Sequence, residues 1–294
     1  MTSPRAPQME RESFQDRSRR LLRALGALGG FYAIAGLVAV VLMFVLPDPR
    51  ELELVLSIAV AAVPVIVGAL LAMLLWARKG WRPWSEMGWP GVPKPARAFA
   101  IGLAIGIAMA GAALLLEVVA GTRITLTGEA FGGYVRAAAG LAAALLVAAL
   151  SEELMFRGFP LSRLTDAIGP AGASLLLAFG FSAMHAINPG ISPLAILNIA
   201  VASLFLSAVY FRLGGLPAAW GAHVGWNAAL GAMVDAPVSG IAFQVPLVEY
   251  SAPGVQWITG GEFGPEGGII GTAVMAAVTI WLGRGTLIEP RESA

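Results

Sequence analysis

The chain has 294 residues, of which 57% are hydrophobic and only 13% are charged. Soluble domains carry about 25% charged residues, so this composition excludes a soluble globular protein and predicts a polytopic membrane protein. The formal net charge is only +1, and the chain contains no cysteine. Disulfides, thiolate metal sites and a cysteine nucleophile are therefore excluded, and any chemistry must use other side chains.

Apolar segments recur along the chain at nearly the length of a bilayer-spanning helix, about 20 residues. The predicted fold class is all-α, a polytopic transmembrane helix bundle of about eight spans. The longest loop, 236–267, is rich in Gly and Pro. It is predicted to be either an irregular outer connection or a cap or re-entrant segment over a cavity. The predicted spans are 25–46, 54–76, 98–119, 137–155, 171–188, 194–210, 215–234 and 268–283.

Basic residues set the predicted orientation. Six arginines lie in the first 23 residues, immediately before the first predicted span. Because cytoplasmic segments carry an excess of Lys and Arg, this tail is predicted to be cytoplasmic, and eight spans return the C-terminus to the same side. We therefore expect a multi-pass protein of the cell inner (plasma) membrane. The expected partners of the protein are the lipid bilayer and a membrane protein or peptide substrate, and no nucleic acid is predicted as a partner.

Several polar or small residues in the spans have a structural explanation. Gly102 and Gly106 form a small-xxx-small pair, which predicts close helix packing in the third span. Glu117, near the outer end of the same span, is expected to snorkel to the membrane interface. In the sixth span, the residues expected to hydrogen-bond helices together are Asn198, Ser203 and Ser207.

A charged cluster follows the nearly uninterrupted apolar run that ends at Leu150. Charges are costly in such an environment, and ionisable residues inside a membrane are by default candidates for function. Glu153 and Arg157 are four residues apart, so on a helix they share a face and can form an ion pair. Glu152 points about 100° away and is left for another role.

The only two histidines of the chain, His185 and His223, both lie in predicted spans. Asn227 is four residues after His223 and shares its helical face, while Phe181 shares a face with His185 and can wall a site. The helical rise of about 1.5 Å per residue places His185 and Asn227 roughly 18–21 Å from the inner ends of their helices, and Glu152 at a similar depth if the fourth helix continues past Gly158 to about Leu164. These groups can therefore meet in one layer.

Two chemistries fit this set. In the first, Glu152 is a general base that takes a proton from water, His185 helps to hold that water, and His223 and Asn227 donate to the developing oxyanion. In the second, Glu152, His185 and His223 ligate a divalent metal such as zinc, with Asn227 as a further ligand or an outer donor. The helical His-Glu-x-x-His pattern is absent. The sequence therefore supports the metal chemistry less strongly than the general-base chemistry.

The blocks Glu152-Glu153-x-x-x-Arg157, Phe181-x-x-x-His185 and His223-x-x-x-Asn227 resemble the CPBP family of intramembrane proteases. That family includes the CAAX prenyl endopeptidases of the Rce1 type and bacterial relatives. The resemblance implies an α-helical bundle and peptide-bond hydrolysis within the membrane. It implies Glu152 as catalytic base, His185 as its water-positioning partner, His223 and Asn227 as oxyanion stabilisers, and Glu153 with Arg157 as a supporting pair. It does not decide between the two chemistries.

We therefore expect an intramembrane endopeptidase that acts on a membrane-associated protein or peptide. The alternatives are a non-catalytic scaffold or bacteriocin-immunity-type protein, and an ion or proton transporter. The sequence indicates neither the substrate nor the oligomeric state. The predicted parts are a cytoplasmic basic tail at 1–23, three helices with an interfacial loop at 24–136, a catalytic core at 137–235, and an outer loop, last helix and short tail at 236–294.

Overall fold

The structure is a computed structural model that describes residues 14–78, 80, 82–86, 88–89 and 95–284. The first 13 residues of the predicted tail and the last ten residues of the chain lie outside the described part. The helices are α1 (Phe14–Met43), α2 (Leu54–Ala77), α3 (Pro83–Glu86), α4 (Pro95–Val119), α5 (Phe131–Phe156), α6 (Phe159–Met184), α7 (Pro193–Leu213), α8 (Leu216–Ala228), α9 (Gln256–Thr259) and α10 (Ile269–Gly283).

The predicted all-α membrane bundle is confirmed. Each of the eight predicted helices has a counterpart, and five stretches of helix in the described chain are long and apolar enough to cross a membrane. One of these stretches, Phe131–Met184, contains both α5 and α6. Large apolar side chains lie exposed on the outside of the bundle, as contact with lipid requires; examples are Leu37, Leu115, Phe179 and Trp281.

The fifth predicted span, 171–188, matches the part of α6 that follows a break at Gly169, but it runs four residues too far, because α6 ends at Met184. The first part of α6, residues 159–168, was not predicted as a separate helix. The helix is interrupted at Gly169, which has φ 76° and ψ 166°. Proline disfavours the helical conformation in the residue before it, and glycine can adopt a positive φ, so Gly169 followed by Pro170 breaks the helix. The added first part packs into the bundle, where the Phe159 ring stacks on Phe31 with centroids 5.2 Å apart.

Helices α4 and α8 touch along their backbones. A Cβ atom on Gly102 would collide with the carbonyl oxygen of Ala218, and one on Gly106 with that of Ala222. Gly221 of α8 likewise leaves no room for a Cβ against the backbone of α4. The predicted close packing at the small-residue pair is therefore confirmed, and it fixes the position of α8 in the bundle.

Two short strands, neither of them predicted, pair at the end of the bundle where α4 ends. β1 (Arg123–Leu126) follows α4, and β2 (Val248–Ser251) lies in the long loop after α8. They are antiparallel, with Ile124 opposite Tyr250. The Tyr250 hydroxyl donates to Glu117 Oε2 at 2.7 Å, and Glu117 is fully buried. The expectation that Glu117 snorkels is wrong, because β2 folds back over the end of α4.

Candidate functional site

The supporting pair lies at the C-terminal end of α5. Arg157 Nη1 is 3.2 Å from Glu153 Oε1, and both side chains are fully buried. Arg157 Nη2 also donates to the carbonyl oxygen and the hydroxyl of Ser203 on α7, at 2.9 and 2.8 Å. Its guanidinium lies 4.8 Å from the centre of the Phe181 ring. The predicted pair therefore forms and joins α5, α6 and α7.

His223 lies between the two glutamates. Its Nδ1 is 2.9 Å from Glu153 Oε1, and its Nε2 is 3.9 Å from Glu152 Oε2. The Glu152 side chain is 28% exposed, whereas that of Glu153 is fully buried. Within the described residues, Glu152 Oε2 has no hydrogen-bond partner. The structure thus brings together the two glutamates and the histidine, and Oε2 of each glutamate has no hydrogen-bond partner among the described residues.

His185 is the residue that caps the C-terminal end of α6. Its Nδ1 donates to the carbonyl oxygen of Phe181 at 2.8 Å, so in the neutral imidazole Nε2 is an acceptor. The Phe181 ring centre is 4.7 Å from that of His185 and 6.3 Å from that of His223. Phe181 therefore walls the space between the two histidines, as the helical spacing indicates.

A cavity of about 30 Å³ lies beside these groups. This volume has room for one or two water molecules. His185, His223 and Asn227 all line it, and Asn227 Oδ1 is buried without a hydrogen-bond partner in the described part of the chain. Glu152 is not among the lining residues, but its Oε2 lies 3.9 Å from Nε2 of His223, which is one of them. The remaining wall is mainly apolar, with Met109, Phe181, Ile199, Phe205, Leu206 and Met275 among the lining residues.

Two residues of the long loop that follows α8, Ser239 and Glu266, line the same cavity and were missed by the sequence analysis. We call this loop, residues 236–267, the cap. Glu266 Oε1 accepts from Trp226 Nε1 at 2.9 Å, and Glu266 Oε2 accepts from the Ser239 hydroxyl at 2.8 Å and its backbone N–H at 2.5 Å. Glu266 is only 4% exposed. The available signal was a glutamate between Pro265 and Gly267, directly before an uncharged apolar helix.

Asn198 and Ser203 of α7 bond to neighbouring segments, in agreement with the expectation for this helix, whereas the Ser207 hydroxyl bonds within α7 itself. Asn198 Nδ2 donates to the carbonyl oxygens of Glu266 and Gly268, at 2.8 and 2.9 Å. Its Oδ1 accepts from the Thr272 hydroxyl of α10. The Ser207 hydroxyl donates to the carbonyl oxygen of Ser203 at 3.0 Å. Asn198 thereby ties the end of the cap to the start of α10.

The predicted metal ligands do not form a three-ligand site. Among the described residues there is no group of three or more His, Asp or Glu side chains placed to hold one ion. His223 directs Nδ1 to Glu153, and the 3.9 Å between its Nε2 and Glu152 exceeds the separation of two ligands that each lie about 2.0–2.2 Å from a tetrahedral zinc. No catalytic step through a metal is derived from this arrangement.

Comparison with known protein families gives one match, to the model described as "Type II CAAX prenyl endopeptidase Rce1-like", over residues 134–229. The matched segment runs from the first turn of α5 to the end of α8 and contains all seven residues of the three motif blocks. This segment is Rce1-like, and the resemblance to the CPBP/Rce1-type family is confirmed. The chain has no match among curated proteins and none among solved structures.

Proposed function

We propose that this membrane protein is an intramembrane endopeptidase, which hydrolyses a peptide bond of a membrane-associated protein or peptide with water activated by Glu152. One observation carries the proposal: Glu152 Oε2, without a hydrogen-bond partner in the described chain, lies 3.9 Å from Nε2 of His223, a residue that lines a water-sized cavity. The match of this segment to an endopeptidase family supports the same reaction class.

Glu152 and His185 prepare the water. Nε2 of His185 is an acceptor, because Nδ1 donates to a backbone carbonyl. A water molecule between the two residues donates one proton to each acceptor and presents a lone pair to the substrate carbonyl carbon. Glu152 removes the proton as the carbon–oxygen bond forms, and it then delivers that proton to the leaving amine nitrogen.

His223 and Asn227 stabilise the oxyanion. The amide N–H₂ of Asn227 is a neutral donor. Because Nδ1–H of His223 is directed to Glu153, Nε2 can donate only when the imidazole carries two protons. The carboxylate of Glu153 stabilises that imidazolium, and Arg157 keeps Glu153 in place. Fixed donors of this kind act without reorganisation when charge develops in the transition state.

The substrate is proposed only as far as a peptide bond at or within the bilayer of the inner (plasma) membrane. The family description names a prenyl endopeptidase. The large apolar exposed faces of the bundle support a substrate that reaches the protein through the membrane.

The test compares new protein N-termini in membranes from host cells that carry wild type, Glu152→Gln or Glu129→Gln at matched expression. Glu129 is exposed in the loop before α5, so its variant is the matched control. We expect termini that appear with wild type and Glu129→Gln and disappear with Glu152→Gln. If no terminus depends on Glu152, the proposal fails and the cluster belongs to a non-catalytic scaffold or immunity-type protein.

A further inference from the structure

The mechanism above makes no use of Glu266, although its carboxylate is buried against the same cavity. Both oxygens of Glu266 are engaged, one by the Trp226 indole N–H of α8 and the other by Ser239 of the cap. A buried carboxylate is stable only where donors of this kind surround it. Three donors from two separate segments therefore converge on one side chain at the edge of the proposed active site.

The backbone at Ser239 shows how strongly this contact shapes the cap. Ser239 has φ +50°, a left-handed conformation that residues other than glycine seldom adopt. In this conformation its N–H and its hydroxyl both donate to Glu266 Oε2. Unfavourable backbone conformations persist where surrounding contacts determine them. Without the Glu266 carboxylate, Ser239 loses two hydrogen bonds that hold it in this conformation.

Ser239 also connects Glu266 with the loop that follows His185. Its carbonyl oxygen accepts from Asn188 Nδ2 at 2.9 Å, and Asn188 N–H in turn donates to the carbonyl oxygen of His185 at 3.0 Å. The next residue, Gly240, donates its N–H to the Phe263 carbonyl oxygen within the cap at 3.0 Å. The contacts of Glu266 thus run to α8 on one side and to the His185 loop on the other.

We propose that Glu266 is a positioning residue that latches the cap over the active-site cavity and closes its outer wall between Asn227 and His185. The inference rests on the proposed function, because the cavity is taken as the place of reaction. Closure by the cap limits the water in the cavity to what its volume admits, and it directs a substrate to approach between helices. Electrostatic groups act more strongly in such a water-excluded site.

Accessibility of the cavity can be measured directly, because the chain has no native cysteine. Ala202 of α7 lines the cavity, so Ala202→Cys places a single thiol there. Its labelling by a charged, membrane-impermeant thiol reagent is followed in the full chain in proteoliposomes, with and without Glu266→Gln. Glutamine keeps the size of the side chain, but it replaces one carboxylate oxygen with an N–H₂ group. This group is a donor and cannot accept from the N–H or O–H donor that it faces, so the latch is broken.

We expect labelling of Ala202→Cys to be roughly tenfold faster with Glu266→Gln, as for the loss of charged hydrogen bonds. Glu262→Gln, an exposed glutamate of the same cap, is the matched control and should leave the rate unchanged. Equal labelling rates with Glu266→Gln and Glu262→Gln would overturn the proposal. A merely structural role would lower the unfolding temperature of Glu266→Gln without changing its labelling rate below that temperature.

Ser239→Ala keeps the proposal testable if Glu266→Gln does not fold. It removes only the hydroxyl donor, so we expect labelling faster than in the control and slower than in Glu266→Gln. A rate equal to that of the control would count against the latch. Labelling does not depend on catalysis, so it tests the latch alone. The proposed function is tested separately, by the new protein N-termini that depend on Glu152.

Discussion

His223 Nδ1 and Glu153 Oε1 lie 2.9 Å apart although 70 residues separate them in the chain. The same oxygen of Glu153 is 3.2 Å from Arg157 Nη1. One fully buried carboxylate is thus shared between a cation of its own helix and a histidine of α8. The second glutamate of the motif therefore sets the orientation of the imidazole, and the first is free to approach Nε2.

Removing Arg157 should destabilise the protein far more than removing an exposed arginine. Arg157→Leu removes the arginine partner of the buried Glu153 carboxylate and leaves only its contact with His223, and breaking a buried ion pair costs about 3–5 kcal/mol of unfolding free energy. Arg19→Ala is the control, because Arg19 and Asp16 form an exposed pair at 4.0 Å, for which a loss of about 0–1 kcal/mol is expected. Unfolding free energies in one detergent measure both effects.

The double variant Glu153→Gln/Arg157→Leu separates charge pairing from simple loss of packing. It should be more stable than the sum of the two single losses, because neither charge is then left without its partner. Additive losses in the double variant would show that the pair contributes no mutual stabilisation.

A methyl group at Gly106 should separate α4 from α8. Its Cβ would collide with the carbonyl oxygen of Ala222, so the helices must move apart and carry His223 with them. We expect Gly106→Ala to lower both the unfolding temperature and the proteolytic rate.

Gly111→Ala on the same helix is the control, since nothing lies within 4 Å of its Cβ position. Alanine there should be neutral or stabilise by about 0.5–1 kcal/mol. Similar behaviour of the two variants would contradict backbone contact at Gly106.

Asp235, which follows the last turn after α8, should make stability depend on pH. Burial raises the pKa of its carboxyl to about 6, although its Oδ1 accepts the Val245 N–H at 3.0 Å. Since the folded protein then binds the proton more tightly than the unfolded chain, stability from this group is present below about pH 4. It is lost as the pH rises through about 6.

Asp235→Asn tests this dependence without changing the local structure. Asparagine keeps the acceptor for Val245 and tolerates the φ of +57° found at this position. The difference in unfolding temperature, variant minus wild type, should rise between about pH 4 and pH 6 and remain constant above pH 6. A constant difference over that whole range would show that Asp235 does not titrate in it.

Chelators should leave the cleavage that depends on Glu152 unchanged, because the described acids and histidines form no three-ligand group. The measurement is the cleavage rate before and after treatment, together with the metal content of purified wild type and His185→Ala. We expect equal metal content in both proteins. Loss of cleavage that zinc restores, with less bound metal in His185→Ala, would favour the metal-assisted chemistry instead.

Local spacing was sufficient to predict the helices and the contacts within them. The Glu153–Arg157 pair and the stacking of Phe181 beside His185 follow from a separation of four residues on one helix. The apolar runs predicted every long helix because each is nearly as long as a bilayer is thick. The helical residues 159–168 before the break at Gly169 were not predicted, because Arg163 and Asp166 interrupt the apolar pattern there.

Contacts between distant segments could not be read from spacing. Glu266 lies 40 residues after Trp226, in a loop whose composition indicates only irregular structure. The short strands β1 and β2 contain alternating or fully exposed side chains and acquire their conformation from each other. Such pairings depend on which loops the bundle brings together. The residue pattern within one segment does not predict which distant segment will pair with it.

The backbone contact between α4 and α8 has a consequence for how this architecture can diversify. Main-chain atoms, which every sequence shares, fix the place of α8 and therefore of His223. Ile199, Phe205 and Met275 line the cavity from α7 and α10, outside that contact. Substitutions at those three positions can reshape the space offered to a side chain of the bound peptide, while the reacting groups keep their alignment.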